Sequence, residues 1–227
     1  ILSGIIYPIV MGWQWGGGWL ASIGFSDFAG STLVHSTGGA AALAGAIIIG
    51  PRLGRFTKSG SPAPLKPFAA SSIPLVTLGV FVLWLGWFGF NGGSQLAMGT
   101  ADDAIAVSTI FINTFLAGAG GVIGAAIITR LHFGKTDVVQ MLNGCIGGLV
   151  AVTAEPLAPS PLAAILIGAV GGLIVVYGTK LLFSLKIDDV VGAVPAHLFA
   201  GIWGTLIVPA TNSGAVFSTQ LIGVLSV

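Results

Sequence analysis

The chain has 227 residues, of which only 7% are Asp, Glu, Lys or Arg. Soluble domains carry about 25% of these residues. Because 55% of the residues are apolar, the side chains cannot cover a water-facing surface. The composition therefore excludes a soluble domain and predicts a protein whose main solvent is the lipid bilayer. The formal net charge of +1 identifies no partner, and we expect no nucleic-acid binding.

Apolar segments long enough to cross a bilayer as helices, about 20 residues each, recur along the chain. The sequence predicts seven spans and the start of an eighth, at 1–18, 28–50, 73–93, 104–130, 137–154, 160–184, 189–210 and 214–227 (partial). The predicted fold is an all-α polytopic membrane protein with a single transmembrane domain over 1–227. Since the chain begins and ends inside apolar segments, we expect an internal fragment of a longer protein.

Small residues inside these segments favour close helix packing. Three pairs among the 36 glycines have the G-x-x-x-G spacing that lets membrane helices approach closely: Gly120 and Gly124, Gly144 and Gly148, and Gly168 and Gly172. The single cysteine, Cys145, permits no intrachain disulfide and no metal cluster built on thiolates. We expect neither a metal nor a cofactor.

The basic residues predict the orientation of the spans. All eight follow the second, fourth or sixth span or lie at its end: Arg52, Arg55, Lys58, Lys66, Arg130, Lys135, Lys180 and Lys186. Alternating spans place all of them on one side, which the positive-inside rule makes cytoplasmic. The sequence thus predicts a multi-pass protein of the plasma membrane or the bacterial inner membrane.

Two of the three histidines occur inside predicted spans, in the same local pattern. His35 follows Asp27 by eight residues and His197 follows Asp189 by eight, and both segments read D-x-x-G-x-x-x-x-H. At about 1.5 Å per residue, each histidine lies about 12 Å along its helix. Because the hydrocarbon core is about 30 Å thick, both are predicted near the midplane. His132 lies in a charged loop and is given no role.

The two patterns lie five spans apart, so alternating spans give them opposite orientations. This is typical of inverted-topology repeats, which place substrate groups at the midplane near the repeat interface. The sequence therefore predicts inverted five-helix repeats around a central pore, incomplete at both ends. An ionisable residue is costly in lipid, so we interpret the pair as functional rather than as two unrelated buried histidines.

Two imidazoles in contact suit a small neutral molecule that forms hydrogen bonds, or a proton relay. Aromatic residues recur at the predicted outer ends of the first and third spans, in WQWGGGW and WLGWFGFNGGS. Interfacial belts account for many such residues. The face of a Trp ring can also hold a small cation, with a contribution of about 0.5–2 kcal/mol. A cation vestibule above an apolar pore would favour the neutral form of the bound species.

Three segments carry a family resemblance: WGGGWLASIGFSDFAGSTLVH, GWFGFNGGS and DDVVGAVPAHLFAGIWG. In order and spacing, they resemble the ammonium transporter family (Amt, Mep and Rh proteins). The resemblance implies eleven spans per subunit, homotrimers, and conduction of ammonium or ammonia through each subunit. This chain would supply helices four to ten and the start of eleven. A cytoplasmic regulatory protein is a possible partner.

The resemblance also implies roles for particular residues. His35 and His197 match the twin histidines of the pore, and Trp15 and Ser94 match the outer site that recruits ammonium. Phe90 matches one phenylalanine of the gate. Asp27 and Asp189 would have a structural, orienting role, since Asp27 matches the aspartate near the outer site. The residues leave open whether a proton follows the neutral molecule.

Other functions remain as alternatives. An ammonium sensor could use the same fold, with a signalling domain elsewhere in the protein. A membrane cytochrome could use the two histidines as haem ligands, although no other haem signature is visible. An intramembrane hydrolase would need a serine beside a histidine, but no G-x-S-x-G elbow occurs and Ser94 lies near the predicted outer surface. We expect a transporter rather than an enzyme.

Overall fold

The structure, a computed structural model, describes residues 1–56 and 68–227. In chain order its helical elements are π1 (Leu2–Ile6), α1 (Tyr7–Gln14), α2 (Trp19–Ser22), π2 (Ser31–Ser36), α3 (Thr37–Ile49), α4 (Ile73–Gly93), α5 (Ala101–Phe133), α6 (Val138–Val152), α7 (Pro161–Ser184), π3 (Val194–Phe199), α8 (Ala200–Leu206) and α9 (Phe217–Ser226). A 3₁₀ turn, Val208–Ala210, follows α8. Every predicted span contains a helical element, and the all-α class is confirmed.

Four helices in the described part of the chain are long and apolar enough to cross a membrane: Ser31–Ile49, Ile73–Gly93, Ala101–Phe133 and Pro161–Ser184. The apolar helices Val138–Val152, Val194–Ala210 and Phe217–Ser226 are shorter. The short α2 helix, which sequence periodicity did not predict, occupies the connection between the first two predicted spans.

The longest helix, α5, extends beyond the predicted span 104–130 at both ends. At its start, the Thr100 side chain accepts a hydrogen bond from the backbone N–H of Asp103, whose carboxylate accepts one from the Thr100 N–H. This reciprocal cap satisfies two N–H groups that a helix start leaves free. At its end, Gly134 adopts a left-handed conformation with φ of 72°, which stops the helix.

Helices α5, α6 and α7 pack against one another through glycine surfaces. A Cβ added to Gly121 in α5 would meet the carbonyl oxygen of Gly144 in α6. A Cβ on Gly168 in α7 would meet the carbonyl oxygen of Ala117 in α5. All three predicted G-x-x-x-G pairs lie in such contacts, which confirms that they permit close helix approach.

The ends of several helices meet at one end of the bundle. Arg52 and Arg55, which follow α3, are ion-paired with Asp188 ahead of π3. Near the end of α5, His132 Nε2 lies 2.6 Å from the Tyr177 hydroxyl of α7. The basic residues within the described ranges lie at or beyond the ends of α3, α5 and α7: Arg52, Arg55, Arg130, Lys135, Lys180 and Lys186. The predictions for Lys58 and Lys66 fall outside the described residues.

Candidate functional site

A buried aspartate organises the start of the helix that carries His35. The Asp27 carboxylate, 2% exposed, accepts hydrogen bonds of 2.8–3.1 Å from the backbone N–H groups of Gly30, Ser31, Thr32 and Leu33. Gly30 has a φ of 111°, which side chains rarely adopt, and turns the chain into π2. Within π2, the His35 N–H bonds to the Gly30 carbonyl, five residues back. The aspartate thus fixes the direction of the helix that delivers His35.

The same local structure precedes His197. The Asp189 carboxylate accepts hydrogen bonds of 2.8–3.1 Å from the backbone N–H groups of Gly192, Ala193 and Val194. Gly192 has a φ of 78°, and π3 begins two residues later. The repeated sequence pattern therefore corresponds to a repeated structural unit, an aspartate-capped π-helical turn that ends in a histidine.

The two histidine helices cross in opposite directions. The hydroxyls of Thr32 and Thr205 lie 2.6 Å apart. Further on, a Cβ added to Gly39 would meet the backbone nitrogen of Leu198. Residue numbers thus rise along one helix while they fall along its partner, so the helices are antiparallel. The repeated units enter their crossing from opposite ends of the bundle.

The two imidazoles meet at this crossing. His35 Nδ1 lies 3.2 Å from His197 Nδ1, and the ring centroids are 5.2 Å apart with an interplanar angle of 28°. In a neutral pair, one Nδ1–H donates to the other ring's bare Nδ1. The donor ring then has a bare Nε2, whereas the acceptor ring carries an Nε2–H. The pair thus offers one outward acceptor and one outward donor, and the buried His35 Nε2 has no hydrogen-bond partner among the described residues.

Aromatic rings from α4 cover His35. The Trp87 ring stacks on the imidazole at a centroid distance of 5.0 Å and an angle of 16°. The Phe90 ring lies 5.3 Å from it at an angle of 37°. Trp87 Nε1 donates to the Thr153 hydroxyl at 2.9 Å, which fixes the indole. No sequence pattern predicted a role for Trp87, although its position three residues before Phe90 places both on one face of the helix.

The predicted outer residues lie near these units but hydrogen-bond to the backbone. Trp15 Nε1 donates to the backbone carbonyl of Asp27 at 3.0 Å, and the residue is 41% exposed. The Ser94 hydroxyl donates to the Phe90 carbonyl at 2.8 Å, one turn back in α4. Within the described ranges, no hydrogen bond joins Ser94 to Trp15. The structure therefore brings Trp15 to the Asp27 turn and Phe90 to His35, and it places Ser94 just beyond Phe90.

These features define a class: an all-α membrane protein in which two antiparallel helices bring paired histidines into an aromatic-walled site. The chain belongs to a particular family of this class, the ammonium transporters, because the profile of the Ammonium Transporter Family matches residues 1–224. A putative ammonium transporter of Synechocystis sp. is 44% identical over 229 residues, which cover 99% of this chain and 51% of that protein. Ammonium transporter Amt2 of Archaeoglobus fulgidus is 40% identical over 216 residues, which cover 91% and 45%.

Solved structures confirm the ammonium transporter-like fold. The structure of a sensor Amt protein superposes with a TM-score of 0.88 at 35% identity, covering 98% of this chain and 57% of that one. Candida albicans Mep2 superposes with a TM-score of 0.85 at 27% identity, covering 98% and 51%. The chain thus spans about half the length of the curated relatives that it matches.

Proposed function

We propose that the full-length protein moves ammonium or ammonia across a membrane through a pore lined by His35 and His197. The observation that carries this proposal is the 3.2 Å contact between the two Nδ1 atoms. Such a pair gives a neutral molecule one donor and one acceptor in a wall of apolar rings. Ammonia has complementary groups, since it carries N–H donors and one lone pair. A hydrated cation would lose most of its hydration there without compensation by charge.

At the entrance, Trp15, Ser94 and Phe90 support recruitment of the ammonium ion. The face of the half-exposed Trp15 ring offers a cation–π contact of about 0.5–2 kcal/mol. The Ser94 oxygen, which donates its proton to the Phe90 carbonyl, retains lone pairs that can accept from ammonium. Phe90 lies between this level and His35, so an ion passing it leaves water. Desolvation favours loss of a proton and passage of neutral ammonia.

Sidedness and assembly belong to the same proposal. The basic residues at the ends of α3, α5 and α7 mark the cytoplasmic side by the positive-inside rule. The Trp15 and Ser94 end then faces outward, in a plasma membrane or bacterial inner membrane. We propose a homotrimer with one pore per subunit, and a regulatory protein would reach the pore from the basic end.

Uptake of radiolabelled methylammonium tests the pore. His35→Ala and His197→Ala, singly and together, should each reduce uptake to the background of cells without the protein. His132→Ala is the matched control, because that imidazole bonds to Tyr177 away from the pair and should leave uptake unchanged. Normal uptake by the double variant, at normal membrane abundance, would refute the pore assignment.

An ammonium sensor is the second candidate, favoured by the 35% identity to the sensor Amt protein. Purified full-length protein in liposomes separates the two, because a transporter moves methylammonium unaided whereas a sensor binds it without comparable flux. The haem alternative conflicts with the geometry. For the facing Nδ1 atoms this conflict is direct, since they are 3.2 Å apart and share a hydrogen bond, which leaves no room for an iron between them.

A further inference from the structure

A second contact between the two histidine helices, apart from the histidine pair itself, is an ion pair with several hydrogen bonds. The Asp188 carboxylate accepts from Arg52 Nε at 2.7 Å, from Arg52 Nη2 at 2.8 Å and from the Arg52 backbone N–H at 3.0 Å. Arg55 Nε lies 3.2 Å from the same carboxylate. The Asp188 side chain is 1% exposed, whereas that of Arg52 is 39% exposed. A buried carboxylate is thus held in one orientation by a fork of donors.

The partners belong to the two halves of the site. Arg52 follows α3, the helix that continues from the His35 turn, and only two residues separate it from Ile49 at the helix end. Asp188 directly precedes Asp189, the cap of the His197 turn. The ion pair therefore ties the last residues of one histidine helix to the first residues of the other.

A second cross-link lies on the other side of the imidazoles. The Thr32 and Thr205 hydroxyls join the start of the His35 turn to the far end of α8. The histidine pair thus lies between two polar connections, one charged and one neutral. Hydrogen bonds weaken beyond about 3.2 Å. The 3.2 Å separation of the Nδ1 atoms leaves little room for the helices to slide or separate.

We propose that Asp188 is a positioning residue, which through its ion pair with Arg52 sets the distance between His35 and His197. This proposal rests on the pore function proposed above and adds the element that holds the pore geometry. Asp188 touches neither imidazole and acts only through the cap that follows it. The molecule that passes through the pore is the one proposed above, ammonium or ammonia.

Two physical arguments support a positioning role over simple stabilisation. The hydrogen bonds from Arg52 hold the pKa of the Asp188 carboxyl below its usual range, so the charge and the fork persist at physiological pH. A buried ion pair often adds little net stability over apolar side chains of similar volume. The ion pair instead fixes the orientation of its partners, because a guanidinium fork donates to both oxygens of a carboxylate in one plane.

Methylammonium uptake by the full-length protein tests the proposal, with membrane abundance measured for each variant. Asp188→Asn should lower the maximal rate on the order of tenfold, because small misplacements of reacting groups have large effects on rate. Its KM should stay unchanged, since Trp15 and Ser94 are untouched. Arg52→Lys keeps the charge but loses the fork, so its maximal rate should lie between those of Asp188→Asn and the unsubstituted protein. Arg55→Gln should have a smaller effect, and Asp188→Glu should restore part of the rate.

Asp137→Asn is the matched control, because this carboxylate lies at the same end of the bundle and caps only α6. An equal loss in Asp137→Asn and Asp188→Asn would overturn the proposal, as would a loss that merely tracks membrane abundance. A raised KM with a normal maximal rate would also overturn it. Normal transport by Asp188→Asn while His35→Ala is inactive would refute the positioning role and leave the pore function standing. Normal transport by His35→Ala would instead refute the pore function.

Discussion

The two histidine turns share a sequence pattern but are supported differently. Asp27 is buried at 2% exposure and accepts four backbone N–H groups. Asp189 is half-buried and accepts three, from Gly192, Ala193 and Val194. The same local chemistry thus builds a turn deep in the protein and another near its polar end.

Their surroundings explain the difference. The His35 turn is bonded to the end of α6, where the Ser31 hydroxyl donates to the Val150 carbonyl at 2.6 Å. The His197 turn is bonded instead by the Asn143 side chain, which donates to the Val191 carbonyl at 3.0 Å, and it adjoins the ion pair of Asp188. The first turn is therefore held by buried groups, whereas the second is held in part by the more exposed Asn143 and Arg52.

Replacing the capping aspartates should give the largest difference in stability between the two turns. Asp27→Ala leaves four N–H donors without an acceptor in a buried site, and we expect the free energy of unfolding to fall by about 3–4 kcal/mol. Asp189→Ala should lower it by only about 1–2 kcal/mol, because it frees three donors rather than four and both Asp189 and Ala193 are only partly buried. Unfolding of the purified protein in mixed micelles, followed by circular dichroism, measures both.

Asn replacements provide the control for this comparison. Asp27→Asn and Asp189→Asn keep the acceptor oxygen that can bond to the turn, so each should lose less stability than the corresponding Ala variant. Equal losses in the two Ala variants would contradict the idea that the turns differ in support.

Replacing the glycine that begins each turn should give a smaller difference in stability between the two turns. At Gly30, with φ of 111°, an added Cβ would meet the Val34 side chain inside the same turn. At Gly192, with φ of 78°, it would meet the end of the Asn143 side chain, which can move away. We expect Gly30→Ala to lower the free energy of unfolding by about 2–3 kcal/mol and Gly192→Ala by about 1–2 kcal/mol. Thermal unfolding in detergent measures both, and a larger loss at Gly192 would contradict this account.

Sequence patterns predicted the features that repeat or that cover long segments. Apolar length located the helices, and the D-x-x-G-x-x-x-x-H repeat identified the two histidines that meet at 3.2 Å. The contacts of Trp87 and Asp188 were not predicted, since each depends on a partner far along the chain. Trp87 reaches His35 only after α4 packs beside π2, and Asp188 reaches Arg52 only after the helices cross. Such long-range contacts leave no local spacing signal.

The ends of the spans were predicted less well, for a related reason. Hydropathy averages over many residues, whereas a helix ends at a particular cap. The Thr100–Asp103 box and Gly134 extend α5 past its apolar centre. Conversely, the span predicted from residue 189 becomes helical only at Val194, because Asp189 and Gly192 form the turn that precedes π3.

The neutral cross-link between the two histidine helices should have the smallest effect on stability. The Thr32 and Thr205 hydroxyls are both fully buried and lie 2.6 Å apart. Thr32→Val or Thr205→Val alone removes one partner and should lower the free energy of unfolding by about 1 kcal/mol, measured in mixed micelles. The double Val variant should lose little more than either single variant, because it leaves no hydroxyl without its partner. Additive losses would mean that the hydroxyls act independently and that their contact contributes no coupling between the two helices.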